Sequence, residues 1–186
     1  MKEIENIDAI TQELKVYLDR EKIRDCIARL ARGEDRRDAQ IIGACCWTEF
    51  TSDYGVFSGS FREYLAWVVP GSPAIPVTQH ALAQSVIELE GDAALVETHV
   101  TSYHRINMGA EERDIVIGGR YLDELERRGA EWRIAKRVML YDWFQDFGAS
   151  IDWSKGVLGL PFSAGHFTGR AFGDYSEKFF AKRPAQ

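Results

Sequence analysis

The chain has 186 residues, 45% of them hydrophobic and 28% charged, with a net charge of -6 and a pI near 5.3. That length suits one compact domain with a full-sized core. The acidic balance argues against binding a phosphate backbone, because basic pairs such as Arg36-Arg37 and Arg127-Arg128 have carboxylates close by.

No apolar run approaches the ~20 residues that span a bilayer, and Glu3, Glu5 and Asp8 interrupt the pattern of a signal peptide. Neither nucleic acid nor membrane is an expected partner. Cys26 and the adjacent Cys45-Cys46 make no disulfide framework and lack metal-ligand spacing, so a reducing, cytoplasmic setting is expected.

Apolar residues at Ile7, Ile10, Leu14, Tyr17 and Leu18 have helical spacing over residues 6–18. Asp19 is a candidate cap for a second helix in which Ile23, Cys26, Ile27, Leu30 and Ala31 share a face, so two short helices or one kinked helix fit. Gly33 loosens the end, and Asp38 is placed to cap a further turn through Ile42 and Cys46. The aromatic, Thr and Ser content of Phe50–Phe57 predicts a short strand entering a turn at Ser58-Gly59. Ser60 and Glu63 form a capping-box pair for a helix with Tyr64, Leu65, Trp67 and Val68, which ends before Pro70; residues 70–76 then form a loop.

From residue 77 the period changes to that of strands. Val77–Glu90 and Ala93–Ile106 read as a hairpin about Gly91-Asp92, and Asp114–Glu126 and Glu131–Phe144 as a second hairpin about Arg127–Ala130. Helices followed by long antiparallel strands predict an α+β domain in which a curled sheet wraps around the helices. Domain boundaries are expected at 1–146 for this body and 147–186 for an arm rich in Gly and aromatics, with a short helix at Tyr175–Phe180. Those aromatics must be buried on the chain's own sheet, on a neighbouring subunit, or at the mouth of the fold.

Four residues suggest acid/base chemistry. Asp35 would ordinarily be a solvated helix end, but the Leu30/Ala31/Asp35 face continues the apolar stripe, which turns Asp35 inward while Glu34 and Arg36 diverge. His80 opens a strand, and as a base it needs a carboxylate to fix its tautomer, which Asp35 can supply. Alternation puts His104 with Val96, Val100 and Ser102 on one face, opposite Glu97, His99 and Arg105. A buried Tyr54 phenol needs a polar partner. Arg137, if inward, would bind an anionic group, and Gly118-Gly119 before Tyr121 mark a sheet bend or a close backbone approach.

Glu-Asp-Arg-Arg-Asp (34–38), Thr-Gln-His (78–80), Ile-Gly-Gly-Arg-Tyr-Leu-Asp (117–123) and Glu-Trp-Arg-Ile-Ala-Lys-Arg (131–137) carry a resemblance to the SnoaL-like branch of the nuclear-transport-factor-2-like superfamily. Within it the chain resembles scytalone dehydratase, bile-acid 7α-dehydratase and hexachlorocyclohexane dehydrochlorinase over roughly residues 15–145. The resemblance implies a cone-shaped α+β barrel, with N-terminal helices packed on a strongly curved, mostly antiparallel sheet. It also implies an Asp35–His80 dyad that abstracts a proton, Tyr54 and His104 assisting loss of water, and Arg137, with Tyr121 nearby, binding substrate or its leaving group. Departures are Glu34, where scytalone dehydratase has tyrosine; His104, where the bile-acid enzyme has an acid; and the aromatic tail.

The resulting expectation is a lyase, dehydratase-like and without cofactor or metal, acting on a small hydrophobic cyclic or hydroxylated substrate and assembling as a homo-oligomer, dimer or trimer. An isomerase or polyketide-type cyclase using the same base, a metal held by His80, His104 and Asp35, and a non-catalytic binding or assembly module are the rivals.

Overall fold

In the computed structural model, which describes residues 2–164 and 167–182 and side chains from residue 6 onward, the first helix, α1, runs unbroken over Lys2–Arg36. Asp19 therefore caps nothing. It lies buried in mid-helix, where its carboxylate accepts a hydrogen bond from Trp132 Nε1 at 2.9 Å and has Arg127 at 3.7 Å. A polar residue that looked like punctuation is a tie between the helix and the sheet. Ile23, Ile27 and Leu30 form the buried stripe, whereas Ile7, Ile10, Leu14 and Tyr17 in the first turns are exposed.

After α1 the chain turns at Arg37, whose φ of 50° is left-handed. α2 (Ala39–Cys45) then starts at Asp38, whose side chain accepts from the Gln40 and Ile41 amides. Gly33 permits this tight reversal, since a Cβ there would lie 2.9 Å from Ile42 Cγ1. β1 (Cys46–Asp53) follows, and the short β2 (Ser58–Ser60) pairs with it antiparallel. The reversal thus occurs at Tyr54–Phe57, before the expected Ser58-Gly59, because the Tyr54 amide donates to the Phe57 carbonyl at 2.7 Å and Ser58–Ser60 are used in pairing. α3 (Phe61–Val68) carries the capping box of Ser60 and Glu63.

β3 (Val77–Glu90), β4 (Ala93–Asn107), β5 (Glu112–Arg128) and β6 (Glu131–Ala149) are long and consecutive. The sheet order is β2-β1-β6-β5-β4-β3, antiparallel throughout except for the parallel β1–β6 pair. Register shifts interrupt the β1–β6, β3–β4 and β5–β6 pairings, and such irregularities bend strands and raise twist. The result is a curved, unclosed α+β cone: helices cover its inner face, and the core of Ile23, Ile27, Leu30, Phe50, Tyr64, Leu125 and Ile134 fills the space between. At the Gly118/Gly119 shift a Cβ on Gly119 would lie 2.1 Å from the Leu140 carbonyl oxygen, which is the close backbone approach expected of the glycine pair.

Beyond β6 come a 3-10 turn at Trp153–Lys155 and α4 (Tyr175–Phe180). This segment lies on its own chain but does not bury its aromatics as expected: Phe167, Phe172, Tyr175 and Phe179 stay about half exposed. Arg32 sits over the Phe180 ring at 4.3 Å, Arg37 over Phe172 at 5.6 Å, Arg36 pairs with Asp174 at 3.2 Å, and Arg105 donates to the Ile151 carbonyl at 3.1 Å. Arg105, on the opposite strand face from His104, is buried by this cover. Among the described residues, no helix is long and apolar enough to cross a membrane.

Candidate active site

α1 and the sheet meet around Asp35. His80 Nδ1 lies 2.7 Å from Asp35 Oδ1, and the His80 backbone amide donates to both carboxylate oxygens at 3.2 and 3.1 Å. Because an ionised carboxylate only accepts, Nδ1 carries the proton, and in the neutral ring the lone pair is then on Nε2. Burial works against a charge on His80, but the Asp35 hydrogen bond and the nearby Glu34 and Asp35 charges more than offset it, so its pKa is raised above 6.5. His104, with its ring 6.2 Å from that of His80 and roughly perpendicular, behaves oppositely. Burial, and then the adjacent His80, lower its pKa from 6.5 to about 4. The two rings are therefore pushed apart: His80 toward greater basicity and His104 away from it, so that His104 is a neutral imidazole at neutral pH.

His80 and His104 line a cavity of about 280 Å³ with Tyr54, Trp67, Tyr121 and Met139 among its walls. Thr78, Ser102 and Glu34 supply further polar groups, and Arg37 stands at the loop of Gly71 and Ser72. Asp35 supports His80 from behind and does not border this space. Tyr54 follows β1 directly, and its ring makes the aromatic wall with Trp67 at 5.4 Å, Tyr64 at 6.1 Å and Tyr121 at 6.4 Å. None of the described residues of the C-terminal arm lines the cavity.

Under the cavity lies a polar network. Arg137 on β6 is fully buried; its Nε and Nη2 donate to Asp123 Oδ1 and Oδ2 at 2.7 and 2.9 Å, and its guanidinium lies 3.9 Å from the Tyr121 ring centroid. Its Nη1, which has no hydrogen-bond partner in the protein, is 3.6 Å from Glu34 Oε1; that oxygen accepts from Tyr54 OH at 3.0 Å and from Tyr64 OH. Burial, then the Glu34 charge, push all three phenols, Tyr54, Tyr64 and Tyr121, well above 10, so they remain proton donors. Arg137 does not border the cavity itself; it reaches that space through Glu34 and Tyr121.

Glu34 does not diverge from the core as the stripe suggested, for it is 7% exposed. A helix face buried over a wide arc takes in both i+4 from Leu30, which is Glu34, and i+4 from Ala31, which is Asp35. Asp123 was also missed; its signal was an acid at an inward position of a strand, between buried Tyr121 and Leu125. Among the described residues, no three His, Cys, Asp or Glu side chains converge as metal ligands. Asp35 Oδ1, one of the three suggested ligand groups, is engaged by His80.

The SnoaL-like domain profile matches residues 15–138, about two thirds of the 186. The chain belongs to the SnoaL-like domain family. Solved structures agree in fold. A hexachlorocyclohexane dehydrochlorinase, LinA-type3 from Novosphingobium barchaimii, is 19% identical with a TM-score of 0.64, covering 82% of this chain and 99% of its own. A candidate scytalone dehydratase from Novosphingobium aromaticivorans is 17% identical with a TM-score of 0.63, covering 72% and 91%. The Kfla4162 protein of Kribbella flavida is 19% identical with a TM-score of 0.64, covering 70% and 95%. No curated protein matches the chain.

Proposed function

We propose that this SnoaL-like protein is a lyase of the dehydratase kind, in which His80 removes a proton from a small cyclic, hydroxylated substrate. The observation that carries the reading is the 2.7 Å Nδ1–Oδ1 bond to Asp35 on a histidine that lines the cavity. With Nδ1–H given to Asp35, Nε2 is the basic atom. It takes a proton from a carbon made acidic by a neighbouring carbonyl, and Asp35 stabilises the imidazolium that forms.

The electrons released from that C–H bond form the new double bond as the hydroxyl on the next carbon departs. His104, neutral because its pKa is near 4, donates an N–H hydrogen bond to the departing oxygen or to the carbonyl. The proton held on His80 completes the water. Tyr54, Trp67 and Tyr121 hold the ring and keep water away, and Arg137 positions Glu34 and Tyr121 from beneath. General acid/base steps contribute on the order of 10²–10⁴-fold each, which with orientation suffices for such an elimination without a metal or cofactor.

The test is turnover of cyclic 3-hydroxyketones, followed by the absorbance of the conjugated enone. The wild type is expected to form the enone, and His80→Ala to lose roughly 10²-fold or more. Equal rates in the two proteins, or binding with no reaction, would remove the reading. Product identity separates elimination from isomerisation or ring closure by the same base.

A further inference from the structure

Arg37 ends α1 in a conformation that suits glycine. The Asp38 amide donates to the Gly33 carbonyl at 2.9 Å and the Arg37 amide to the Glu34 carbonyl at 3.2 Å, the pair of bonds that closes a helix through a left-handed residue. Glycine takes such a position without strain, whereas at φ 50° the Cβ of Arg37 is a backbone cost. The side chain offsets that cost through what it holds.

What it holds is a wall of the cavity. Its Nη1 donates to the Pro70 carbonyl at 3.0 Å, and its Nη2 to the carbonyls of Ser72, at 3.4 Å, and Ile75. Gly71, Ser72 and Ile75 line the cavity, and Ser72 is also exposed, so residues 70–76 stand as a single layer between that space and solvent. The guanidinium lies close against this layer, for a Cβ on Gly71 would be 2.6 Å from Arg37 Cζ. Pro70, Pro73 and Pro76 have no amide to offer, and the Ala74 and Ile75 amides turn back to Ser72. Among the described residues, the loop is hydrogen-bonded to the rest of the protein by Arg37 and by the Asn107 amide, which donates to the Ala74 carbonyl at 2.7 Å.

We propose that Arg37 is a positioning residue, the clasp of a gate: its guanidinium holds residues 70–76 closed over the cavity, and release of those bonds opens the way to His80. Phe172 of the C-terminal arm, with its ring centroid 5.6 Å from Arg37 Cζ, and the neighbouring Arg36–Asp174 pair back the clasp, which gives the arm a part in closing the cavity without lining it. The proposal concerns access to the cavity and rests on the lyase reading only in taking the cavity as the place where the ligand reacts.

The test is amide exchange and histidine labelling of wild type, Arg37→Gly and Gly71→Ala, read by mass spectrometry with no ligand added. Arg37→Gly removes the bonds and the strained Cβ together, so Tm changes little, while the Ala74 and Ile75 amides exchange roughly 10-fold faster or more. Diethylpyrocarbonate then modifies His80 faster by a similar factor; His99, whose side chain is 44% exposed in the closed protein, reacts at the wild-type rate. Gly71→Ala pushes the guanidinium off the loop and gives the same signature with the charge intact. Wild-type exchange at Ala74 and Ile75 in Arg37→Gly, His80 labelled no faster there, or a uniform rise in exchange through the sheet, which marks a merely stabilising residue, would overturn the proposal; Arg37→Gly decides even if Gly71→Ala does not fold. Absence of enone formation with this signature intact would overturn the lyase reading alone.

Discussion

Replacing Asp123 by Asn tests the buried foundation of the site. Asp123 and Arg137 are register partners on β5 and β6, neither side chain is exposed, and two bonds of 2.7 and 2.9 Å join them. Asparagine supplies one acceptor and turns a donor toward the guanidinium, so one bond is lost and the charge is left with Glu34 at 3.6 Å as its remaining acidic neighbour. Breaking a buried ion pair costs about 3–5 kcal/mol, and the nearness of Glu34 places this case at the lower end, ~3 kcal/mol. For a chain of this size that corresponds to a fall in Tm of about 6–12 °C.

Urea unfolding and calorimetry measure the change. The control is one residue away on the same two strands, where Lys136 and Glu124 pair at 3.0 Å with both side chains about half exposed. Lys136→Ala is expected to cost no more than ~1 kcal/mol. An Asp123→Asn protein within ~1 kcal/mol of wild type, or a Lys136→Ala loss of equal size, would refute the argument that burial makes this pair structural.

His104 makes stability depend on pH in a predictable direction. Its folded-state pKa, about 4, lies below the ordinary 6.5, so the unfolded chain takes up this proton first as the pH falls; the stability it confers is complete above 6.5 and lost between 6.5 and about 4. The loss approaches ~3 kcal/mol by linkage. His80 works in the opposite sense, so the measurement is the difference between wild type and His104→Gln in urea unfolding at pH 7 and pH 4; a difference that does not change with pH would contradict the assignment. For the glycine pair, Gly119→Ala forces Cβ onto the Leu140 carbonyl oxygen, whereas Gly118→Ala meets the ring of Trp143, which is half exposed and free to turn. Overpacking is expected to cost Gly119→Ala ~1–3 kcal/mol and Gly118→Ala less, and the reverse order in chemical denaturation would count against the close-approach explanation.

The parts of the fold legible in the sequence were those set by local period and turn chemistry. Gly91-Asp92 gave the β3–β4 hairpin, with φ +60° at the glycine, and Asp38 and the Ser60–Glu63 box marked helix starts where the structure has them. What escaped depended on distant partners. Asp19 is tolerated in mid-helix because Trp132 and Arg127, more than 100 residues on in β6 and β5, meet its carboxylate. Ser58–Ser60 became a strand because β1 lay beside it. In the site, the proximity of Asp35 and His80 was anticipated through a dyad pattern, and His104 through strand alternation. Glu34, Tyr64 and Asp123 were not, since an acid or phenol at an inward position is normally costly and its acceptability is decided by partners 20 or 30 residues off, as Tyr54 and Tyr64 are for Glu34.

The measurement that goes most directly to the central claim is the NMR titration of the His80 ring in wild type and in Asp35→Asn. A base held by an ionised Asp35 titrates above 6.5 in the wild type, in the direction its surroundings dictate, and kcat/KM for enone formation falls as the pH drops through that value. In Asp35→Asn the supporting charge is gone while burial remains, and the titration moves to lower pH. A wild-type His80 titrating at or below 6.5, or one indifferent to the loss of Asp35, would contradict the account.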